Sequence, residues 1–278
     1  MPAYCFDHPT RAADGACEPC GRAWCGECLS AAKLHVTVCK TCGRAAGALL
    51  AEGAGEFVGR LMSRDGVAMA VGLGVFGALI SLISSGGAIA MGWAFVMAWV
   101  IYASCVVGTF FAIIQHVGAG RAGMPHAVDA DHLSTMFARV GRGLVCFGVG
   151  LAPLAVWWFA GHGRDPVMAG VMLVLGQLYM PAVLVAVTVS DHTGNALWPP
   201  VWVQIVARAP AAYARFAVVW VVTVFVGGAV VGAAEAAVAD AVPVVGDMVA
   251  TTLGMLFLFA QAILVGQFLR RNSVALEY

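Results

Sequence analysis

Residues 88–114 read AIAMGWAFVMAWVIYASCVVGTFFAII, and this stretch contains no charged side chain. A helix needs about 20 predominantly apolar residues to cross the hydrocarbon core of a bilayer, so the stretch is long enough to span a membrane. The whole chain is similarly apolar, because 61% of its 278 residues are hydrophobic and only 11% are charged. Soluble domains carry about 25% charged residues. The sequence therefore predicts a polytopic membrane protein, with the lipid bilayer as a partner.

Further apolar segments of spanning length lie on both sides of this stretch. The six predicted spans cover residues 67–84, 88–114, 144–160, 167–190, 214–234 and 248–269. The third span is short and contains Pro153. Residues 65–278 are thus predicted to form an all-α membrane bundle of about six transmembrane helices.

Arginines are distributed unevenly over the segments that connect these spans. One side of the bundle carries nine of them, namely Arg60, Arg64, Arg121, Arg139, Arg142, Arg208, Arg215, Arg270 and Arg271, and the other side carries Arg164. Segments rich in Lys and Arg remain in the cytoplasm. We therefore expect both termini to be cytoplasmic. The composition, rich in Ala, Gly and Val, favours a bacterial inner membrane.

Residues 5–42 differ completely from the rest of the chain and read CFDHPTRAADGACEPCGRAWCGECLSAAKLHVTVCKTC. Seven of the nine cysteines lie here, and candidate ligands form four pairs with two residues between their members: Cys5/His8, Cys17/Cys20, Cys25/Cys28 and Cys39/Cys42. Ligands at this spacing can bind one ion, and tetrahedral zinc takes four thiolate or imidazole ligands. Residues 1–44 are therefore predicted to form a small domain with two zinc ions.

The assignment of pairs to ions has two solutions. In the interleaved arrangement, Cys5, His8, Cys25 and Cys28 bind one ion, and Cys17, Cys20, Cys39 and Cys42 bind the other. We favour it because it matches the two pairs that are followed by glycine, at Gly21 and Gly43. It also ties distant segments together in a domain too small to have much core. The sequential alternative joins the first two pairs on one ion and the last two on the other.

Zinc accounts for this segment better than disulfide bonds do. The segment has an odd number of cysteines and a histidine at ligand spacing, and the cytoplasm expected from the arginines is reducing. Four protein ligands leave no open position on either ion, so both zinc ions are predicted to be structural. Cys105 and Cys146 lie in apolar runs and are expected to be small buried residues.

The ligand pairs follow the order Cys-x-x-His, Cys-x-x-Cys, Cys-x-x-Cys and then a closing pair. This order resembles the B-box zinc finger, a cross-braced relative of the RING finger. The resemblance covers residues 4–43 and implies a role in protein interaction. B-boxes usually close with histidines, whereas this chain has Cys39 and Cys42. The second half of the chain contains LGQLYMPAVLVAVTVSD at 175–191 and IVARAPAAYARF at 205–216. It is similar to uncharacterised bacterial polytopic membrane domains that are distantly Yip-like. This resemblance implies topology alone.

Residues 45–64 connect the cysteine-rich domain to the first span. Apolar residues recur at helical spacing from Leu50 to Leu61, whereas Glu56 and Arg60 fall largely elsewhere. This pattern predicts an amphipathic linker helix that lies along the membrane surface. A polar linker that becomes helical only at the first span is the alternative.

Polar side chains are scarce in the predicted spans. Gln177 and Gln261 lie within spans and are expected to make interhelical hydrogen bonds. The loop 115–143 contains four further candidate metal ligands, at His126, Asp129, Asp131 and His132. We interpret these aspartates as caps at the start of a helix that includes Leu133.

These patterns lead to a functional hypothesis. We expect a membrane-anchored adaptor or organiser whose cytosolic zinc finger binds a protein partner. The alternative is a transporter or channel that the finger regulates, although ionisable groups inside the spans are almost absent. The sequence predicts no enzyme, because it contains no catalytic constellation. With a formal net charge of zero, it predicts no nucleic-acid partner.

Overall fold

The fold is seen in a computed structural model of the full chain. It describes residues 10, 15–16, 23–24, 29–31, 37–39, 54–85, 92–121, 123–125, 133–162, 165–190, 192–239, 243–272 and 276. Within these ranges, two short antiparallel strand pairs lie in the cysteine-rich segment, and helices form nearly all of the remainder.

Each strand pair joins neighbouring parts of the cysteine-rich segment. Strand β1 (Gly15–Ala16) pairs with β2 (Ala23–Trp24), and β3 (Leu29–Ala31) pairs with β4 (Thr37–Cys39). Trp24 is only 2% exposed. A tryptophan buries a large apolar area, so the first hairpin includes a covered side chain despite its short strands.

In the part of the chain that the structure describes, eight α-helices follow in chain order. They are α1 (Ala54–Leu61), α2 (Arg64–Ser85), α3 (Gly92–Gly118), α4 (Leu133–Trp157), α5 (Pro166–Ser190), α6 (Pro199–Arg208), α7 (Pro210–Ala239) and α8 (Pro243–Asn272). A π-helical turn at Trp158–His162 extends α4, and a 3₁₀ turn at Thr193–Leu197 precedes α6. In the described ranges, α2, α3, α4, α5, α7 and α8 are the six helices long and apolar enough to cross a membrane. The predicted number of spans is confirmed, and this is the architecture of a multi-pass membrane protein.

The third spanning helix differs most from its predicted bounds. It begins at Leu133, well before the predicted start at residue 144, and its third turn packs against α3. Gly143 lies so close to Val107 of α3 that a Cβ atom there would be 2.5 Å from a methyl carbon of the valine. The Arg142 guanidinium lies 5.6 Å from the centre of the Phe111 ring. The predicted loop is therefore partly a continuation of the span.

Helix α8 is the centre of the bundle. It packs against α2, α3 and α7, while α4 packs against both α3 and α5. Phe259 and Ile263 of α8 are fully buried, as are residues 182–185 of α5. Helices without a hydrophobic driving force between them depend on close packing of this kind.

Glycines allow two of these helix pairs to approach closely. A Cβ atom added at Gly176 of α5 would lie 1.8 Å from the carbonyl oxygen of Gly150 in α4. One added at Gly74 of α2 would lie 2.7 Å from the Cα of Thr252 in α8. Small residues at transmembrane interfaces let backbones come into contact. The α4–α5 and α2–α8 contacts therefore depend on the absence of a side chain at these positions.

The outer surface of the bundle is suited to lipid. Val218, Val222 and Val226 of α7 are about half exposed. Trp158 and Phe159, where α4 ends, are 61% and 88% exposed. Aromatic side chains are enriched where hydrocarbon meets headgroups. The exposed apolar surface is thus the part that a bilayer covers.

Candidate functional site

The predicted zinc ligands Cys5, His8, Cys17, Cys20, Cys25, Cys28 and Cys42 lie outside the described residues, and Cys39 is described through its backbone alone. The described strands nevertheless border the ligand pairs. β1 ends at the residue before Cys17, β2 ends at the residue before Cys25, and β3 begins at the residue after Cys28. Cys39 is the last residue of β4 and pairs with Leu29. The zinc sites themselves stay a prediction.

Residue types that can bind metals also occur outside the cysteine-rich segment. His126, Asp129, Asp131 and His132 lie outside the described residues, so the predicted cap of α4 lies outside them as well. Cys105 and Cys146 are free thiols in the bundle; Cys146 is fully buried, as predicted, and Cys105 is half-buried. Across the described ranges, no three His, Cys, Asp or Glu side chains come together at a point where they could hold a metal ion.

Gln177 contributes a polar contact between two spans. Its side-chain oxygen accepts a 3.1 Å hydrogen bond from Nε1 of Trp220 in α7, and both side chains are buried. The prediction that Gln177 forms an interhelical hydrogen bond is confirmed. The other predicted residue of this kind, Gln261, is half-buried on α8.

Pro153 leaves one backbone carbonyl of α4 without its helical donor, and a tyrosine of α5 donates a hydrogen bond to it instead. Proline has no N–H group, so the carbonyl four residues earlier loses its helical donor. That carbonyl belongs to Val149, and it accepts a 2.5 Å hydrogen bond from the hydroxyl of Tyr179 in α5. The Tyr179 ring also stacks on Trp202 of α6, with centroids 5.3 Å apart. The Tyr179 side chain thus satisfies the free carbonyl of α4 and also packs against α6.

The hydroxyl of a second tyrosine lies between two backbone groups of α5, beside Pro181. The hydroxyl of Tyr213 donates to the Leu178 carbonyl at 2.7 Å and accepts from the Ala182 N–H at 3.3 Å. In an unbroken helix these two groups would bond to each other, because they are four residues apart. Broken transmembrane helices are tolerated when neighbouring helices satisfy the freed backbone groups. Tyr213, on α7, has this role for α5.

The arginine-rich ends of the helices meet at one end of the bundle, here called the arginine-bearing end. Arg60 of α1 is 5% exposed and donates from Nη1 to the carbonyls of Arg121 and Gly123 at 2.6 and 3.2 Å. Arg208 of α6 donates to the carbonyl of the fully buried Leu276 at 2.6 Å. The chain therefore enters the bundle and leaves it at the same end.

The buried position of Arg60 corrects the expectation that it lies on the polar face of the linker helix. Helix α1 packs against α2 and α8, and Phe57 and Leu61 contact the core. The backbone after α3 presents carbonyls that need donors, and Arg60 reaches them. Helical spacing assigns every charged residue to the outer face, so it could not indicate this contact.

The roles of the two tyrosines were not predicted from the sequence. A useful signal was present, since each of the affected helices contains a proline and each tyrosine lies on a later helix. Only the three-dimensional packing shows which hydroxyl reaches which carbonyl. Comparisons of the chain with protein-family models, with curated proteins and with solved structures found no match.

Proposed function

We propose that the protein is a membrane-anchored adaptor, in which an N-terminal domain with two structural zinc ions binds a protein partner at the cytoplasmic surface. The observation that carries the proposal is the concentration of seven cysteines and His8 in four pairs of ligand spacing within residues 5–42. The strands that border these pairs support the assignment. Closed zinc sites stabilise a small fold and present its surface.

The way α1 joins the bundle supports the anchoring role. Arg60 holds α1 against main-chain carbonyls at the arginine-bearing end. A domain that precedes α1 is therefore connected to that end of the bundle, which the positive-inside rule favours for the cytoplasm. Zinc thiolate sites persist in such a reducing compartment.

The polar contacts inside the bundle favour an anchor over a transporter. Gln177 bonds with Trp220, and the tyrosine hydroxyls bond with backbone groups of α4 and α5. Polar groups that bind one another hold helices together. Groups that handle a solute face a water-filled cavity instead.

Metal analysis and partner capture test the proposal together. Freshly purified protein is expected to hold two zinc ions, and a Cys17→Ser/Cys20→Ser variant is expected to lose zinc while its helices stay inserted. Crosslinking capture from cells should recover a protein with the parent chain and lose it with the variant. Cys105→Ser is the matched control, because it removes a thiol from the bundle and leaves the ligand pairs intact.

Two results would refute the adaptor hypothesis. The first is the absence of zinc from protein that was never exposed to a chelator. The second is capture of the same proteins, in the same amounts, by the parent chain and by the Cys17→Ser/Cys20→Ser variant.

A further inference from the structure

A cavity of about 310 Å³ lies between α7 and α8 at the arginine-bearing end. Its polar lining residues are Arg215, Gln267, Arg271 and Asn272. The cavity has two cationic side chains and no acidic side chain among the described residues that line it. It is therefore a place where an anion is favoured by charge and by hydrogen-bond donors.

The remaining residues that line the same cavity are apolar. Phe216 of α7 and Phe268 of α8 stack with their ring centres 4.6 Å apart and their planes inclined by 11°. Val219 and Leu264 also line the cavity, farther from the arginine-bearing end than Arg215 and Arg271. This arrangement suits a ligand with an anionic group at the helix ends and a hydrocarbon part deeper in the bilayer.

An exposed apolar stripe leads from the cavity along α7. Val219, Val222, Val226 and Val230 are 42–52% exposed, and their spacing puts them on one face of the helix. From the first to the last of them the helix rises about 16 Å, which is close to half of the roughly 30 Å hydrocarbon thickness of a bilayer. The stripe has the length of one leaflet.

The depth of the arginines agrees with this geometry. Helices α7 and α8 each contain 30 residues, so each is about 45 Å long and exceeds the hydrocarbon core by about 15 Å. Arg215 lies in the second turn of α7, and Arg271 lies in the last turn of α8. With that excess divided between the two ends of each helix, both guanidinium groups lie near the level of the headgroup phosphates.

We propose that this cavity is a specific site for an anionic phospholipid, whose phosphate lies between Arg215 and Arg271 and whose acyl chain follows Val219 to Val230. Basic pockets between transmembrane helices bind lipid headgroups through the same chemistry. None of the residues that form the site belongs to the zinc domain, so lipid binding can be tested separately from the adaptor role. It implies that the bundle selects its lipids.

The proposal is tested on the delipidated full-length protein in neutral detergent by native mass spectrometry. Phosphatidylglycerol is expected to bind more tightly than phosphatidylcholine of the same chain length. Arg215→Gln and Arg271→Gln should each weaken phosphatidylglycerol binding about fivefold, which is the effect of one arginine at a headgroup. Arg64→Gln is the matched control, because Arg64 is exposed at the same end but does not line the cavity.

Two further measurements distinguish a phospholipid in the cavity from a free phosphate compound. Ala212→Phe fills the cavity without changing its charge and is expected to abolish the preference for phosphatidylglycerol. Water-soluble glycerol phosphate should fail to displace the bound lipid, because it lacks the acyl chain. Far-UV circular dichroism of each variant verifies that it is folded. The charge-retaining variants Arg215→Lys and Arg271→Lys are expected to bind phosphatidylglycerol in the mass-spectrometry assay as the parent protein does.

Three outcomes would overturn the proposal. Equal binding of the two lipids would remove the charge selectivity, and an equal loss in Arg64→Gln would indicate a diffuse surface attraction. Displacement of the lipid by glycerol phosphate would make the cavity a site for a free phosphate compound.

Discussion

Replacing Gly176 by alanine tests the close contact between α4 and α5. The added Cβ would lie 1.8 Å from the Gly150 carbonyl oxygen, whereas real Cβ atoms stay beyond 3.0 Å from other heavy atoms. The difference, 3.0 minus 1.8, requires the two helices to separate by about 1.2 Å at this point. A gap of 0.5–1 Å already removes about a quarter to a half of the dispersion attraction between packed atoms.

The expected stability change follows from two opposing effects. Overpacking of this severity costs about 3 kcal/mol, the upper part of the usual range. The higher helix propensity of alanine returns about 1 kcal/mol. Gly176→Ala should therefore lower the free energy of unfolding by about 2 kcal/mol.

Gly170→Ala provides the matched control on the same helix. Among the described residues, no heavy atom beyond the neighbouring backbone of its own helix lies within 4 Å of a Cβ added at Gly170, so this variant should gain about 1 kcal/mol from helix propensity alone. Unfolding by sodium dodecyl sulfate in mixed micelles, followed by far-UV circular dichroism, measures both variants. If Gly176→Ala were as stable as Gly170→Ala, the inferred contact between the two backbones would be refuted.

Other contacts give predictions of the same kind. Tyr179→Phe removes the hydroxyl that bonds to the proline-freed carbonyl of α4 and should lower the free energy of unfolding by about 1 kcal/mol. Thr223→Val is the control and should be neutral, because the Thr223 hydroxyl bonds within its own helix at the surface. Equal effects of the two substitutions would contradict the role of Tyr179. Arg208→Gln should speed hydrogen exchange of the Leu276 amide about tenfold, since a hydrogen bond from a charged group is lost, and unchanged exchange would mean that Arg208 does not hold the C-terminal segment. A reporter fused after Tyr278 should be active only if it functions in the cytoplasm, and activity of an export-dependent reporter would overturn the expected orientation.

The membrane architecture was accessible from the sequence because hydrocarbon imposes one simple requirement. A spanning helix must be apolar over about 20 residues, and that property is visible in segments such as 167–190, which nearly coincides with α5 (Pro166–Ser190). The hydrogen-bonding role of Gln177 was accessible for a related reason, since a polar group in hydrocarbon requires a partner. Its partner Trp220 could not be named, because the pairing depends on how α5 and α7 pack.

Contacts between distant segments were beyond the reach of sequence patterns. Nothing near Arg60 indicates that carbonyls more than sixty residues away will accept its hydrogen bonds. The start of α4 was hidden similarly, because the contacts of Arg142 and Gly143 with α3 depend on how the two helices pack. The zinc ligands are the reverse case. Their spacing is a local property that the sequence displays directly, and it remains a prediction for metal analysis to test.

The two proline-broken helices have a consequence for the assembly of the protein in the membrane. During synthesis the spans appear in chain order, and α4 contains a carbonyl whose donor, Tyr179, is on the following span. In α5, the hydroxyl of Tyr213 on α7, the span made after it, lies between the Leu178 carbonyl and the Ala182 N–H, which can bond to each other until α7 arrives. Helix α4 is thus left with an open carbonyl until α5 has been inserted beside it, and α5 takes its final hydrogen bonds only once α7 is present. A ribosome that stops before α5 therefore leaves one backbone carbonyl unsatisfied within the membrane.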